Sequence, residues 1–380
     1  KDGRVIREPP EWVTAPAGVT LFEQTAGKTT FSARAAVVEA LSESGEMVGD
    51  PRPTQRMTNF FEKGDKPLEI IASRQWYIRN GGRDFTRPDR KETLREELLR
   101  AGAELKFHPD FMRVRYDNWV SGLNSDWLVS RQRFFGVAIP LWYQVDADGT
   151  VQYDQILTPD PSQLQLDPTT DVPDGYTESQ RDQPGGFTAE ADIMDTWATS
   201  SLTPQIPTGW LRDPELYQRV FPMDLRAQGQ DIIRTWLFST VLRSLLQFNE
   251  LPWKNAAISG WILDPDRKKM SKSKGNVVTP MGLLETHGAD AVRYWAASAR
   301  LGTDAAFDEG QMKIGRRLAI KVLNASKFAL TMGDGQELIL DPTRVTEPLD
   351  LDELSRLRRV IDTATSAFDD YDHTRALEVT

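Results

Sequence analysis

Between residues 224 and 263 the sequence alternates in a way that few architectures accommodate. Asp224-Leu225-Arg226-Ala227-Gln228-Gly229 reads as a strand closing on a glycine. From Asp231 to about Phe248 a helical stripe follows, with Ile232, Ile233, Trp236, Leu237, Val241, Leu245 and Phe248 on one face. Ala256 to Leu263 is a second strand. Strand, helix, strand predicts an α/β fold built on a nucleotide-binding sheet. The turn Gly229-Gln230-Asp231 sits where such sheets bind ligands. Gly229 admits close approach of an adenosine, and the Asp231 carboxylate can hold a ribose hydroxyl. An aspartate there is equally a plain N-cap, and both readings stand.

The second strand runs through Asp264-Pro265-Asp266 into Arg267-Lys268-Lys269-Met270-Ser271-Lys272-Ser273-Lys274-Gly275-Asn276. Five of the first eight residues of this run are cationic and none is acidic, although the whole chain carries a formal charge of −10. Ammonium groups on a loop of small residues suit a polyphosphate whose charge grows during reaction. A solvated basic turn or a nucleic-acid patch has the same composition. Trp197 and Trp236 form a second constellation. On an α/β core two tryptophans are ordinary packing residues; as flat, rigid walls they also suit a pocket for a small branched side chain.

Composition narrows the chemistry. With no cysteine, disulfides and cysteine-bound zinc are excluded, and a reducing, cytoplasmic setting fits. The three histidines, His108, His287 and His373, lack metal-ligand spacing. No apolar run of about 18 residues is present, so no membrane span is expected. Lys1-Asp2-Gly3-Arg4 lacks the shape of a signal peptide. The acidic balance argues against indiscriminate nucleic-acid binding.

Elsewhere the pattern is coarser. Gly18 to Phe22 reads as a strand start, Thr30 to Ser42 as a helix, and Leu68 to Ile71 as a strand. Residues 89–105 read as an amphipathic helix with Leu94, Leu98, Ala101 and Leu105 on one face. Asn124 to Phe135 reads as a short helix stopped by Gly136, followed by a buried strand from Val137 to Tyr143. Residues 146–190 read as a surface excursion with little core. Asp192 to Trp197 is a strand-edge segment. His287 reads as a helix-start residue. Gln311 to Leu330 and the Leu354-to-Tyr371 repeat read as two bundle helices, with buried stripes that include Ile314, Leu318 and Val322 on the first and Leu357, Ile361 and Phe368 on the second.

Several of these strings resemble one family. Lys269-Met270-Ser271-Lys272-Ser273 resembles the signature loop of the class I aminoacyl-tRNA synthetases. Extended to Asn276 it looks like their valine, isoleucine and leucine branch. Gly229-Gln230-Asp231-Ile232-Ile233-Arg234-Thr235-Trp236 resembles the segment that contacts the adenosine of ATP. Asp126-Trp127-Leu128-Val129-Ser130-Arg131-Gln132 resembles the point at which these enzymes re-enter the catalytic domain, where relatives often carry Trp in place of Phe135. Arg316 to Phe328 looks like the entry to the anticodon-binding helices in the valyl-tRNA synthetase family, and the 39-residue separation of Trp197 and Trp236 fits that family.

The resemblance implies the second half of a Rossmann-type catalytic domain, with an editing-domain remnant before it and the start of a helical anticodon-binding bundle after it. The boundaries expected are 1–75 for the remnant, 76–120 for a connector, 121–300 for the catalytic part with its excursion at 146–190, and 301–380 for the bundle. It implies activation of valine by ATP, with Mg²⁺ carried on the nucleotide, and transfer to tRNA(Val). Lys269 and Lys272 would hold the pyrophosphate, with Ser271 beside them. Gly229 and Asp231 would hold the adenosine, Trp197 and Trp236 the valine, and Arg131 and Gln132 would serve as structural hydrogen-bonders. The remnant lacks the zinc-binding cysteines of many relatives, so a metal-free version is expected. A monomer with no membrane partner is also expected. The family's His-x-Gly-His motif has no counterpart here, which implies that the first half of the catalytic domain lies outside these 380 residues and that the chain alone is inactive. An isoleucyl or leucyl enzyme, or a non-catalytic tRNA- or nucleotide-binding module, remains the alternative.

Overall fold

A computed structural model of the chain describes residues 4–52, 54, 57–60, 68, 73–270, 275–332 and 341–380. The chain divides into two compact units, Lys1–Gln75 and Trp76–Thr380. The first unit is built on two helices, α1 (Pro16–Thr25) and α2 (Thr30–Glu43). The strand start expected at Gly18 is a turn of α1. Pro16 occupies the first helical turn, where its missing N–H costs nothing and its fixed φ favours the helix. Thr29 caps α2 by accepting the Ser32 N–H, in agreement with the expected helix. The strand expected at Leu68 to Ile71 falls on residues that, apart from Leu68, lie outside those described.

The second unit opens with β1 (Tyr77–Ile78) and α3 (Leu94–Glu104). α3 starts five residues later than expected because Thr93 and Glu96 form a reciprocal capping box. β2 (Lys106–His108) and α4 (Arg113–Ser121) follow. The segment expected as a helix at Asn124 is extended, giving β3 (Trp127–Leu128) and β4 (Ser130–Arg131). β3 pairs with β1, and β4 pairs antiparallel with β8 (Ile193–Met194); distant partners override the local helical pattern. The buried strand expected from Val137 begins only at Trp142. β5 (Trp142–Val145) lies between β6 (Val151–Leu157) and β7 (Phe187–Ala189) in an antiparallel sheet. The excursion at 146–190, expected to have little core, packs on β5: Phe187 is buried, and so is Trp142 of β5, whose indole donates to the Pro168 carbonyl at 2.8 Å.

After β8 come α5 (Thr196–Ser200), α6 (Pro214–Val220) and β9 (Met223–Gly229). The helix expected after β9 forms in three stages. A 3₁₀ turn covers Gln230–Ile232, a π-helical turn covers Ile233–Leu237, and α7 spans Phe238–Phe248. Gly229, not Asp231, takes the N-cap position, and no side chain caps it. β10 (Trp253–Ser259) pairs in parallel with β9, Trp253 opposite Met223 through Ser259 opposite Gly229. β2 lies parallel on the other side of β10, so the sheet order is β2-β10-β9. The main core packs α3, α4 and α7 on this sheet, through buried residues that include Leu98, Tyr116, Leu237, Val241 and Ile258.

The second strand breaks at Gly260. β11 (Ile262–Leu263) leaves the sheet and pairs with β12 (Ala305–Ala306) beyond α8 (Pro280–His287) and α9 (Ala289–Ala297). His287 ends α8 and does not start a helix; Gly288, at φ 86°, makes the corner. α10 (Glu309–Leu330), α11 (Pro348–Asp369) and α12 (His373–Val379) complete the chain. Both long helices form as expected, but their apolar stripes stay open: Leu318, Val322, Leu357 and Phe368 are all exposed.

Candidate active site

The carboxyl ends of β9 and β10 lie side by side, with Gly229 opposite Ser259. A cleft of about 530 Å³ opens there, lined by Arg115, Asn118, Trp119, Gln230, Asp231, Ile233, Arg234, Trp261 and Lys269. Three cations face one acid across it. A Cβ on Gly229 would come within 2.6 Å of the Asp231 carboxylate. A side chain at 229 would therefore push the Asp231 carboxylate aside, although the backbone φ of −75° is one that any residue adopts.

Two links hold the cleft in shape. Gln230 is buried and donates to Asp304 at 3.0 Å, and the same Asp304 oxygen accepts the Trp261 backbone N–H at 2.9 Å. The Gly-x-Asp turn and the start of β11 thus share one carboxylate. Lys269 stands with its ammonium 3.9 Å from the centre of the Trp261 ring, a geometry for cation–π attraction. The base of the lysine-rich loop is tied by Asp264, whose carboxylate accepts the Lys268 N–H at 2.7 Å and the Asn276 side chain at 2.8 Å. The Lys268 N–H first, and Asn276 second, hold this carboxyl below the ordinary aspartate range. Ser271 and Lys272 lie outside the described residues.

A second cavity, about 540 Å³, adjoins the first and shares Trp119 and Arg234 with it. Trp197 lines it, together with Trp127, Arg131, Asp195, Thr235 and Phe238. Asp195 is 5% exposed. It accepts the Trp197 N–H at 3.1 Å and the Trp127 indole N–H at 3.3 Å, and it pairs with the Arg131 guanidinium. Gln132 donates to Asp192 at 2.6 Å. Arg131 and Gln132 are hydrogen-bonders to the strand-edge segment, the role expected of them.

Trp236 is placed differently. Its indole donates to the Ser200 carbonyl at 3.0 Å, and the Arg226 guanidinium lies over its ring. Burial alone pushes Arg226 down to about 10. The two tryptophan segments are nonetheless joined, because the Ser239 hydroxyl bonds to the carbonyls of both Trp197 and Trp236. The structure thus brings Asp231 and Lys269 to one cleft, with Gly229 beside its lining residue Gln230, and Trp197 to the neighbouring cavity, with Trp236 against Arg226. Sequence reasoning missed Trp119, Trp261 and Asp304, whose roles rest on contacts between distant segments. Among the described residues no group of three or more His, Cys, Asp or Glu side chains is placed to hold a metal.

The π-helical turn supplies Arg234 and Thr235, at the junction of the two cavities. Such turns recur at functional sites because they re-aim side chains without ending the helix. A parallel α/β sheet with a cleft at its carboxyl edge, a lysine on the loop after the second strand and an adjoining cavity is the arrangement in which α/β proteins place their ligand sites. A family model described as tRNA synthetases class I (I, L, M and V) matches residues 26–308, more than half of the chain, and the chain belongs to that family.

Within it, proteins named valine–tRNA ligase are similar over the whole chain. The one from Thermobifida fusca (strain YX) is 61% identical over 379 residues, covering 100% of this chain and 42% of its own length. The one from Salinispora tropica (strain ATCC BAA-916 / DSM 44818 / JCM 13857 / NBRC 105044 / CNB-440) is 58% identical over 380 residues, covering 100% and 43%. The chain therefore spans less than half the length of these curated relatives. The match includes residues 1–60, where no motif of the family stands. Among solved structures, the LeuRS–tRNA–LeuAMS ternary complex of Agrobacterium radiobacter K84 (agnB2) matches with TM-score 0.56 at 19% identity, covering 67% of this chain and 34% of that one. Mycobacterium tuberculosis methionyl-tRNA synthetase with methionyl-adenylate matches with TM-score 0.51 at 23% identity, covering 75% and 48%. These two bear on the fold alone.

Proposed function

We propose that the full-length protein carrying this chain is a valine–tRNA ligase, which activates valine with ATP-Mg²⁺ and transfers it to tRNA(Val). The observation that carries this reading is the identity of 57–61% to valine–tRNA ligases along the entire chain. An isoleucine or leucine enzyme is the nearest competing reading. Residues 1–75 would be the editing remnant, 76–120 the connector, 121–300 the catalytic part and 301–380 the start of the anticodon-binding bundle. No helix among the described residues is long and apolar enough to cross a membrane; a cytoplasmic monomer belongs to the proposal.

The geometry supports a division of labour. Adenosine would enter the first cleft, with its ribose on Asp231 and its base near Gly229. Lys269, with Lys272 beyond it, would meet the triphosphate, whose own oxygens hold the Mg²⁺. The valyl side chain would enter the second cavity against Trp197. The substrate carboxylate and the α-phosphate then meet where the cavities join. The carboxylate oxygen attacks phosphorus, the bond to pyrophosphate breaks, and the lysines take up the charge on the leaving group. No protein nucleophile is required, so catalysis is positioning and charge stabilisation. The test is ATP–pyrophosphate exchange by the full-length protein with valine, isoleucine, leucine and threonine. Exchange led by valine supports the proposal; exchange led by isoleucine or leucine, or none with any of them, overturns it.

A further inference from the structure

Asp195 is a nearly buried carboxyl group, and donors must replace the water that burial takes from it. Its three donors come from two distant stretches: the Trp127 indole and the Arg131 guanidinium from β3 and β4, and the Trp197 backbone N–H from α5. The pairing of β4 with β8 brings the stretches together, Ser130 opposite Met194, and the Asp195 N–H donates to the Val129 carbonyl at 2.7 Å. Asp195 and all three residues that supply its donors line the same cavity.

α5 itself has only five residues, too few to hold a helical turn unaided. Its cap therefore contributes directly to where the Trp197 ring stands. On the other side of α5, Ser239 bonds to the Trp197 carbonyl and Arg243 bonds to Ser201 at 2.7 Å. The Arg243 bond fixes the end of the turn, while Asp195 on the Trp197 N–H and Ser239 on the Trp197 carbonyl hold its start from two sides.

We propose that Asp195, clamped by Arg131 and Trp127, is a positioning residue that fixes the Trp197 wall and so sets the affinity for the amino acid and not for ATP. This rests on the reading of the Trp197 cavity as the amino-acid pocket. The first cleft, with Asp231 and Lys269, does not include Asp195, so nucleotide contacts should be spared.

The experiment uses the full-length protein and measures KM for valine, KM for ATP and kcat in pyrophosphate exchange, with Trp197→Ala as the reference. Asp195→Asn keeps an acceptor for the Trp197 N–H, since asparagine caps helices well, but sets a neutral amide against Arg131. It should raise the valine KM about tenfold and leave the ATP KM within about twofold. Arg131→Met should do the same, and the double variant should be no worse than the poorer single one, because both remove one clamp. If Asp195→Asn does not fold, Arg131→Lys is judged by the same split, since lysine keeps the charge and loses the guanidinium fork. An unchanged valine KM in the Asp195 and Arg131 variants, with a raised one in Trp197→Ala, overturns the proposal alone. A parallel rise in both KM values also overturns it, marking Asp195 as a general element of the fold. An unchanged valine KM in Trp197→Ala overturns the amino-acid reading and the proposal with it.

Discussion

Lys269 has two places for its charge: the face of Trp261, where it stands now, and the phosphates that the cleft would receive. A cation–π contact is worth about 0.5–2 kcal/mol, too little to hold the ammonium against a polyphosphate, so under the proposed function the ring would be a resting place. Lys269→Ala and Lys272→Ala, in the full-length protein, should each lower kcat for adenylation about 10²–10³-fold and change the valine KM little. Equal kcat in pyrophosphate exchange would make the loop a surface turn. Asp264 gives a pH prediction. Its carboxyl is held below the ordinary range by bonds to its charged form, so its contribution is complete above the ordinary aspartate pKa and is lost as pH falls through the lower folded value. Protection of the Lys268 amide, its exchange rate taken relative to the intrinsic rate at each pH, should therefore fall only in acid, whereas Asp264→Ala should lose that protection already at neutral pH; equal protection in the two proteins at pH 7 would contradict this. The strings that carry Asp231 and Lys269, which share the cleft, were readable in the sequence because each is contiguous. Asp304 was not, since its partners lie 43 and 74 residues away.

Among elements, the strand–helix–strand unit was readable from its apolar pattern, and β9, α7 and β10 lie where that pattern places them. The joints were not. The pattern gives a helix after Gly229 but is blind to the 3₁₀ and π turns that precede α7. It also takes Ala256 to Leu263 as one strand, whereas the chain bends at Gly260. A Cβ there would meet the Thr303 carbonyl oxygen at 2.1 Å, a contact that backbone must move to relieve. Gly260→Ala should cost about 1–3 kcal/mol, as overpacking does, and should also displace Trp261 and hence Lys269. Urea unfolding checks the first effect. An unchanged midpoint would show that β10 and β11 tolerate the side chain. β3 and β4 were misread for a related reason: their extended form comes from β1 and β8, supplied by sequence far away.

At the scale of the molecule, the surface is unevenly finished. The three-stranded parallel sheet leaves β9 at an edge, with Leu225 exposed, although parallel sheets are usually covered on both faces. α10 and α11 expose Ile314, Leu318, Val322, Leu357, Ile361 and Phe368, the positions whose helical spacing announces burial. Those stripes were legible as apolar; their partners were not, because spacing names a face and not what covers it. Purified as these 380 residues, the chain should bind hydrophobic dyes and give no valine-dependent pyrophosphate exchange, since exposed apolar patches of this kind mark interaction surfaces; exchange at the rate of the full-length protein would show the site to be complete without further cover. If the two adjoining cavities form one adenylate site, a crystal structure of the full-length protein with a non-hydrolysable valyl-adenylate analogue will place the ribose within hydrogen-bonding distance of Asp231 and the valyl side chain against Trp197. An analogue bound with its side chain away from Trp197, or its ribose away from Asp231, would contradict it.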